Sequence, residues 1–256
     1  SSTAHLGRPE RAWRAFSQWR TSWLSREGVL AVATYIPAGL LALLWVLYER
    51  LVTPLALLAA VCAMATLYTT GMIYASLRSI RHWYQPLTAP LYIVLALASG
   101  ALLFNALLHL FGQASAFPAW LAIALLALGA MLKVSYWQGI DTGEKRYTAE
   151  MATGLGYLGK VRPLEPPHTQ PNFVMREMGY TIARKHVDKL RTLVLVLAFA
   201  APIAALLLTL IPAPVAGIAG SVLAVLAMAV GLVVERWLFF AEAEHVSMLY
   251  YGAEAA

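Results

Sequence analysis

Charge and cysteine are what this sequence has least of. Only 12% of its 256 residues are Asp, Glu, Lys or Arg, about half of the roughly 25% usual in a soluble domain. A single cysteine, Cys62, excludes a disulfide within the chain and any iron–sulfur cluster held by this chain's own thiolates. It falls inside an apolar run and reads as a small buried hydrophobe. Of the six histidines, His5, His82, His109, His168, His186 and His245, only His109 lies well inside such a run. A b-type haem needs two imidazoles facing each other across a bundle, so no haem is expected. No His-x-x-x-His or Glu-x-x-His pair occurs within a run either, so no metal site is expected.

What the chain has in abundance is apolar length. Apolar residues make up 60% of it and the mean hydropathy is +0.66. Runs of about 20 such residues match the hydrocarbon thickness of a bilayer. The expected fold is an all-α polytopic membrane protein with six transmembrane helices, near 28–48, 51–77, 91–111, 119–137, 193–211 and 215–234. The last is expected to run on as a helix into "ERWLFFAEAEHVSM". Between the fourth and fifth spans lies a long polar stretch, 140–191, and residues 242–256 form a tail. The opening "SSTAHL" carries no initiator Met, apolar h-region or cleavage signature, and reads as a start within a longer protein.

Orientation follows from the Lys and Arg count on alternate sides. Arg8, Arg11, Arg14, Arg20 and Arg26 precede the first span, Arg78 and Arg81 follow the second, and nine more lie in 140–191. Arg50 stands alone on the other side. The charged side is therefore expected to be cytoplasmic, and the net charge of +6 needs no nucleic acid to explain it. Within the long stretch, "RPLEPPHTQP" can form neither helix nor ladder and should run extended. "NFVMREMGYTIARKHVDKLR" places Phe173, Met178 and Ile182 at helical spacing. It reads equally as an interfacial amphipathic helix or as a docking platform for a soluble partner. Trp83 and Tyr84 suit an interfacial belt.

Ionisable groups at membrane depth are costly and point to function. Lys133 lies two thirds along the fourth span, and Glu235 lies at the charged-side end of the sixth, at a depth where they can pair. Arg236, Glu242, Glu244 and His245 continue beyond it. Structural ion pairs and snorkelling are the plainer account of this group. Asn105 and His109 share one helix face, which suggests interhelical hydrogen bonding ahead of a proton relay.

The stretch "HLGRPERAW" followed by "TSWLSREG" carries a resemblance. The pattern His-Leu-Gly-x-Pro-x-Arg-Ala, then Ser-x-Glu, resembles the segment after the second span of the dimethyl sulfoxide reductase membrane-anchor family, relatives of the polysulfide and nitrite reductase anchors. "MIYASLRSIRHWYQPLTAPLY" and "ERWLFFAEAEHVSM" resemble later segments of that family. The resemblance implies eight helices in the full-length protein, two of them ahead of this chain. It implies a quinone site (ubiquinone or menaquinone) carried by His5, Gly7, Arg11 and Glu27; Arg8, Lys133, Glu235 and Arg236, gathered at the same face, are read beside it as second-layer or proton-path groups. Residues 1–27 would then be the interfacial segment of that site, 28–139 four transmembrane helices and 192–241 two more.

The family's reductase anchors face the periplasm with this site, whereas the charge count here faces it to the cytoplasm. With "YTAEMATGLG" and "RPLEPPHTQPNFVMREMGY", that orientation is more similar to the anchors of cytoplasmic quinone-linked sulfite dehydrogenases, in the bacterial inner membrane. The implied partners are an iron–sulfur subunit and a molybdopterin catalytic subunit, which hold those cofactors, together with membrane lipid. The expected function is electron transfer between the iron–sulfur subunit and quinone, in sulfite oxidation. Quinol oxidation in a dimethyl sulfoxide reductase-type complex is the alternative. A transporter is a weaker reading, because the spans are broken only by Pro37 and Pro202 and the ionisable groups gather at one face. So is a purely structural anchor.

Overall fold

In a computed structural model, the described residues are 7–143, 147–165, 169–170, 172, 185–211 and 213–253. Among them no strand forms beyond isolated bridges, and six helices are long and apolar enough to cross a membrane: α1 (Trp23–Tyr48), α2 (Thr53–Ala75), α3 (Thr88–Leu110), α4 (Ala116–Thr142), α6 (Val187–Thr209) and α7 (Pro214–Ala241). A five-residue helix, α5 (Ala149–Thr153), follows α4. The chain is thus an all-α polytopic membrane protein. Its side chains are sorted as hydrocarbon demands. Lys133 and Glu235 are 1% and 0% exposed, whereas Phe104, Leu226 and Val233 are more than half exposed.

The chain divides into two units, Ser1–Ser76 with Thr88–Ile93, and Leu77–Leu87 with Val94–Ala256. In the first, α1 and α2 form an antiparallel hairpin joined at Glu49–Val52. Glu49 takes a left-handed conformation, φ 51°, and the N–H of Arg50 donates to the Leu44 carbonyl at 3.1 Å, which closes the helix end as a glycine would. Along the seam the Thr34 and Thr66 hydroxyls lie 3.2 Å apart. Each also reaches the carbonyl one turn back, Leu30 and Cys62, so neither is unsatisfied in the apolar surroundings. At Gly71 a Cβ would lie 2.8 Å from the Ala89 Cα, a backbone approach that no other residue would permit.

The second unit is built on α4, α6 and α7. Inside α6 the segment Leu195–Ala200 is a π-helical turn, ending two residues before Pro202. The wider turn accommodates the ring that would otherwise strike the preceding carbonyl. Gly231 of α7 faces this turn, and a Cβ there would lie 2.3 Å from the Ala198 nitrogen and 2.6 Å from its Cα.

Several boundaries differ from the sequence expectation. Helix α1 begins at Trp23, because Ser22 caps it by accepting from the Ser25 N–H at 3.4 Å; Glu27 is inside its second turn rather than ahead of the span. Helix α6 begins at Val187, which brings Lys189 and Arg191 onto a span. Helix α7 stops at Ala241, and Glu242, Glu244 and His245 turn away from it, with His245 bridging antiparallel to Ile80. Trp83 faces inward: it stacks on Phe239 with centroids 5.6 Å apart and donates its indole N–H to the Phe239 carbonyl at 2.9 Å. The expected amphipathic segment over 173–184 lies outside the described residues. In the polar stretch before it, the Glu150 carboxylate accepts from the Val161 N–H at 3.0 Å. That bond, ahead of those from its own N–H and the Thr148 hydroxyl, holds it below the ordinary carboxylate range.

The packing at Gly231 gives a direct test. Gly231→Ala forces backbone apart and should cost about 1–3 kcal/mol, as overpacking does. Gly100→Ala, where a Cβ meets nothing within 4 Å, should be neutral or stabilise by roughly 0.5–1 kcal/mol. Unfolding of the two variants in detergent, followed by circular dichroism, makes the comparison.

Candidate quinone site and charged core

The opening segment is tied to the start of α1 by its own side chains. After the 3-10 helix Pro9–Phe16, the chain folds back so that the Ser25 hydroxyl donates to the Ala15 carbonyl. Arg26 donates to the Trp19 and Arg20 carbonyls at 2.9 and 2.7 Å, and its guanidinium lies 4.2 Å from the Trp23 ring centroid. Phe16 closes over Gly28, where a Cβ would lie 2.9 Å from the Phe16 ring. The glycine gives the aromatic ring its place.

Glu27 is half-buried in this fold-back, and its Oε1 accepts from the Thr70 hydroxyl of α2 at 2.7 Å. Thr70 was not evident from sequence, since only the antiparallel register of α1 and α2 brings it opposite Glu27. Trp23 meets Tyr68 edge to face, centroids 6.0 Å apart. A carboxyl held by a hydroxyl can donate to a ring carbonyl or accept from a ring hydroxyl. Gly7, Arg8 and Arg11 are exposed, and a Cβ at Gly7 would meet nothing within 4 Å. His5 lies outside the described residues.

The second unit holds a charged core. Lys133 donates to Glu235, and its ammonium lies 4.6 Å from the Tyr136 centroid and 4.9 Å from that of Trp137. Arg236 donates to both Glu235 oxygens, at 2.5 and 2.7 Å. Arg191, whose guanidinium lies 5.3 Å from the Trp137 centroid, forks onto Asp141 at 2.6 and 3.0 Å and reaches Glu242 at 2.8 Å. Burial pushes the Glu242 carboxyl above its ordinary range against the pull of Arg191. Lys133, Arg191 and Arg236 thus balance Glu235, Asp141 and Glu242, as buried charge requires. Arg191 counts towards the positive side in the sequence, and nothing there points to its two carboxylates.

Two further findings bear on chemistry. Asn105 is 1% exposed, and neither amide atom has a hydrogen-bond partner among the described residues, so the expected interhelical bond is absent there. No group of three or more His, Cys, Asp or Glu side chains is arranged to hold a metal ion among the described residues.

The charged core predicts a non-additive pair. Lys133→Met or Glu235→Gln alone leaves a buried charge short of its partner and should cost about 3–5 kcal/mol. The double variant Lys133→Met/Glu235→Met should recover most of that loss, since Arg236 is 30% exposed and can reach solvent. Thermal unfolding in detergent checks it; a double variant as damaged as the sum of the singles would count against mutual compensation.

Comparison with known proteins agrees with the geometry. The family described as "DMSO reductase anchor subunit (DmsC)" matches residues 1–252. The sulfite dehydrogenase C-subunit of Allochromatium vinosum is 32% identical over 273 residues, covering 100% of this chain and 82% of that protein. No solved structure matches. A whole-length family match, on six spans and a fold-back at α1, identifies an oxidoreductase membrane anchor: the chain belongs to the DMSO reductase anchor subunit (DmsC) family.

Proposed function

We propose that this anchor binds quinone at the fold-back of its opening segment and passes electrons between an iron–sulfur partner and the quinone pool. The observation that carries the reading is the Glu27–Thr70 hydrogen bond, which holds a carboxyl at the head of the α1–α2 hairpin. The residues fit a quinone: Phe16, Trp23 and Tyr68 offer planar apolar surface, Arg11 a cation, and Glu27 a carboxyl oriented by Thr70. Quinone, when bound, supplies the two-electron, two-proton chemistry. Glu27 would hold the proton at its carboxyl, with Thr70 fixing the orientation of Oε1. His5 would supply the second hydrogen-bonding partner, Gly7 close backbone approach, and Arg11 compensation for negative charge on the ring oxygens. Arg8 and the Lys133, Glu235 and Arg236 group are assigned to the movement of protons to the same reaction.

The family and the name of the Allochromatium relative support a complex with an iron–sulfur subunit and a molybdopterin catalytic subunit, with sulfite as the substrate oxidised. The charge count supports a bacterial inner membrane with the basic face in the cytoplasm, where 140–191 would meet the iron–sulfur partner. Quinol oxidation in a dimethyl sulfoxide reductase-type complex uses the same residues with electron flow reversed.

In the assembled complex, Glu27→Gln and His5→Ala should abolish electron exchange with quinone while leaving assembly and substrate oxidation with an artificial acceptor intact. A lost hydrogen bond to a charged group costs about 1.5–3 kcal/mol, roughly tenfold to over a hundredfold in affinity. Thr70→Val should be milder, at about 0.5–1.5 kcal/mol for a neutral bond. Arg20→Ala should do little, because only the Arg20 backbone carbonyl holds Arg26. Equal small effects of all four would reduce the segment to a positive-side anchor.

A further inference from the structure

The inner face of α3 runs through Ala98, Leu102 and Asn105 to His109. The first three are 0%, 1% and 1% exposed, and two of them are apolar, as a face turned into a bundle should be. Asn105 breaks that pattern with an amide whose nitrogen and oxygen both lack a partner among the described residues. An amide in that state, in a low-dielectric interior, calls for an ordered water or another polar group.

One turn nearer the helix end, His109 lines a cavity of about 400 Å³, far more than one water needs. Its other walls come from the α3–α4 turn, including Gly112 and Ser115, and from the end of α6 and start of α7, including Thr209 and Pro214. Thr209 is itself buried and donates its hydroxyl to the Leu206 carbonyl at 2.6 Å. At Gly217 of α7 a Cβ would lie 2.5 Å from the His109 Nδ1. The missing side chain therefore lets the imidazole lie against the α7 backbone. The lining is mostly apolar, but the His109 imidazole, the Ser115 and Thr209 hydroxyl oxygens and the turn backbone place polar groups at its wall, which wholly apolar voids that stay dry lack.

We propose that this cavity is an aqueous inlet: water fills it past His109 and supplies the hydrogen bonds of the Asn105 amide. Solvent then enters the bundle at the end of α4 that begins at Ala116. The opposite end of that helix, about 40 Å away at 1.5 Å per residue, carries the carbonyls of Ile140 and Gly143 that Arg81 holds. The ligand is water, held on one side by a ring nitrogen and on the other by a carboxamide. Asn105 is its inner terminus, because Leu102 and Ala98 offer the next two positions no polar group. The inlet stands independently of the quinone-binding residues, which lie in the opening segment and on α1 and α2.

Thiol accessibility in the assembled complex tests this, in a Cys62→Ser background, with a small membrane-impermeant cationic thiosulfonate added from the face that carries residues 111–115. Ser115→Cys and Thr209→Cys should react, and Asn105→Cys should react as well, while Leu102→Cys stays inert. Adding His109→Trp should fill the neck and slow Asn105→Cys by roughly tenfold or more, if water reaches it by this route, with Ser115→Cys unchanged. An Asn105→Cys as inert as Leu102→Cys, or one indifferent to His109→Trp, would overturn the inlet. Hydroxyl-radical footprinting of the unaltered complex reads the same water without substitution. His109 should be oxidised, and protection of His109 as complete as that of buried Met228 would contradict the proposal.

Discussion

Hydrocarbon offers no water, so a polar group at membrane depth must find its partner in the chain itself or in water that the chain admits. That constraint explains why the spans are helices and why Thr34 and Thr66 return their hydroxyls to carbonyls one turn back. It explains why Lys133 is fully enclosed yet tolerated: Glu235 answers its charge, two aromatic faces surround it, and Arg236 completes the carboxylate. The complementary rule shows in exposed apolar side chains along the spans, among them Val46, Leu57, Leu226 and Val233. Such sorting leaves few polar side chains inside, and each one that has no structural reason becomes a candidate for function.

Glu27 is the most informative of these. It sits in the second turn of α1, half-buried, with a hydroxyl of the neighbouring helix on one oxygen. The opening segment is bound back over this helix start by Ser25 and Arg26. A carboxyl needed only as a surface anchor would gain nothing from such a setting. One required to hydrogen-bond a bound ring would, because the Thr70 hydroxyl fixes the direction in which its carboxyl points.

Much of this was legible in the sequence, for physical reasons that can be named. Hydropathy finds long spans because hydrocarbon tolerates nothing else, and the depths of Lys133 and Glu235 on two spans were enough to suggest their pairing. What the sequence hid depended on register and on chain reversal. Thr70 opposite Glu27 needs the α1–α2 register. Arg191 on Asp141 and Glu242 needs α6 to start earlier than its apolar run. Trp83 has the composition of an interfacial residue, yet it stacks on Phe239 because the 77–87 turn folds against α7. Asn105 had the look of a helix–helix hydrogen bond; only its surroundings reveal an amide without a partner among the described residues.

The central claim is that the ring of a quinone rests against the opening segment and the head of the α1–α2 hairpin. A photoreactive quinone analogue, activated in the assembled complex and traced by peptide mapping, tests it most directly. The account predicts label within residues 5–28 or 66–74, competed away by excess native quinone. Competed label confined to other spans, with none on either stretch, would contradict it.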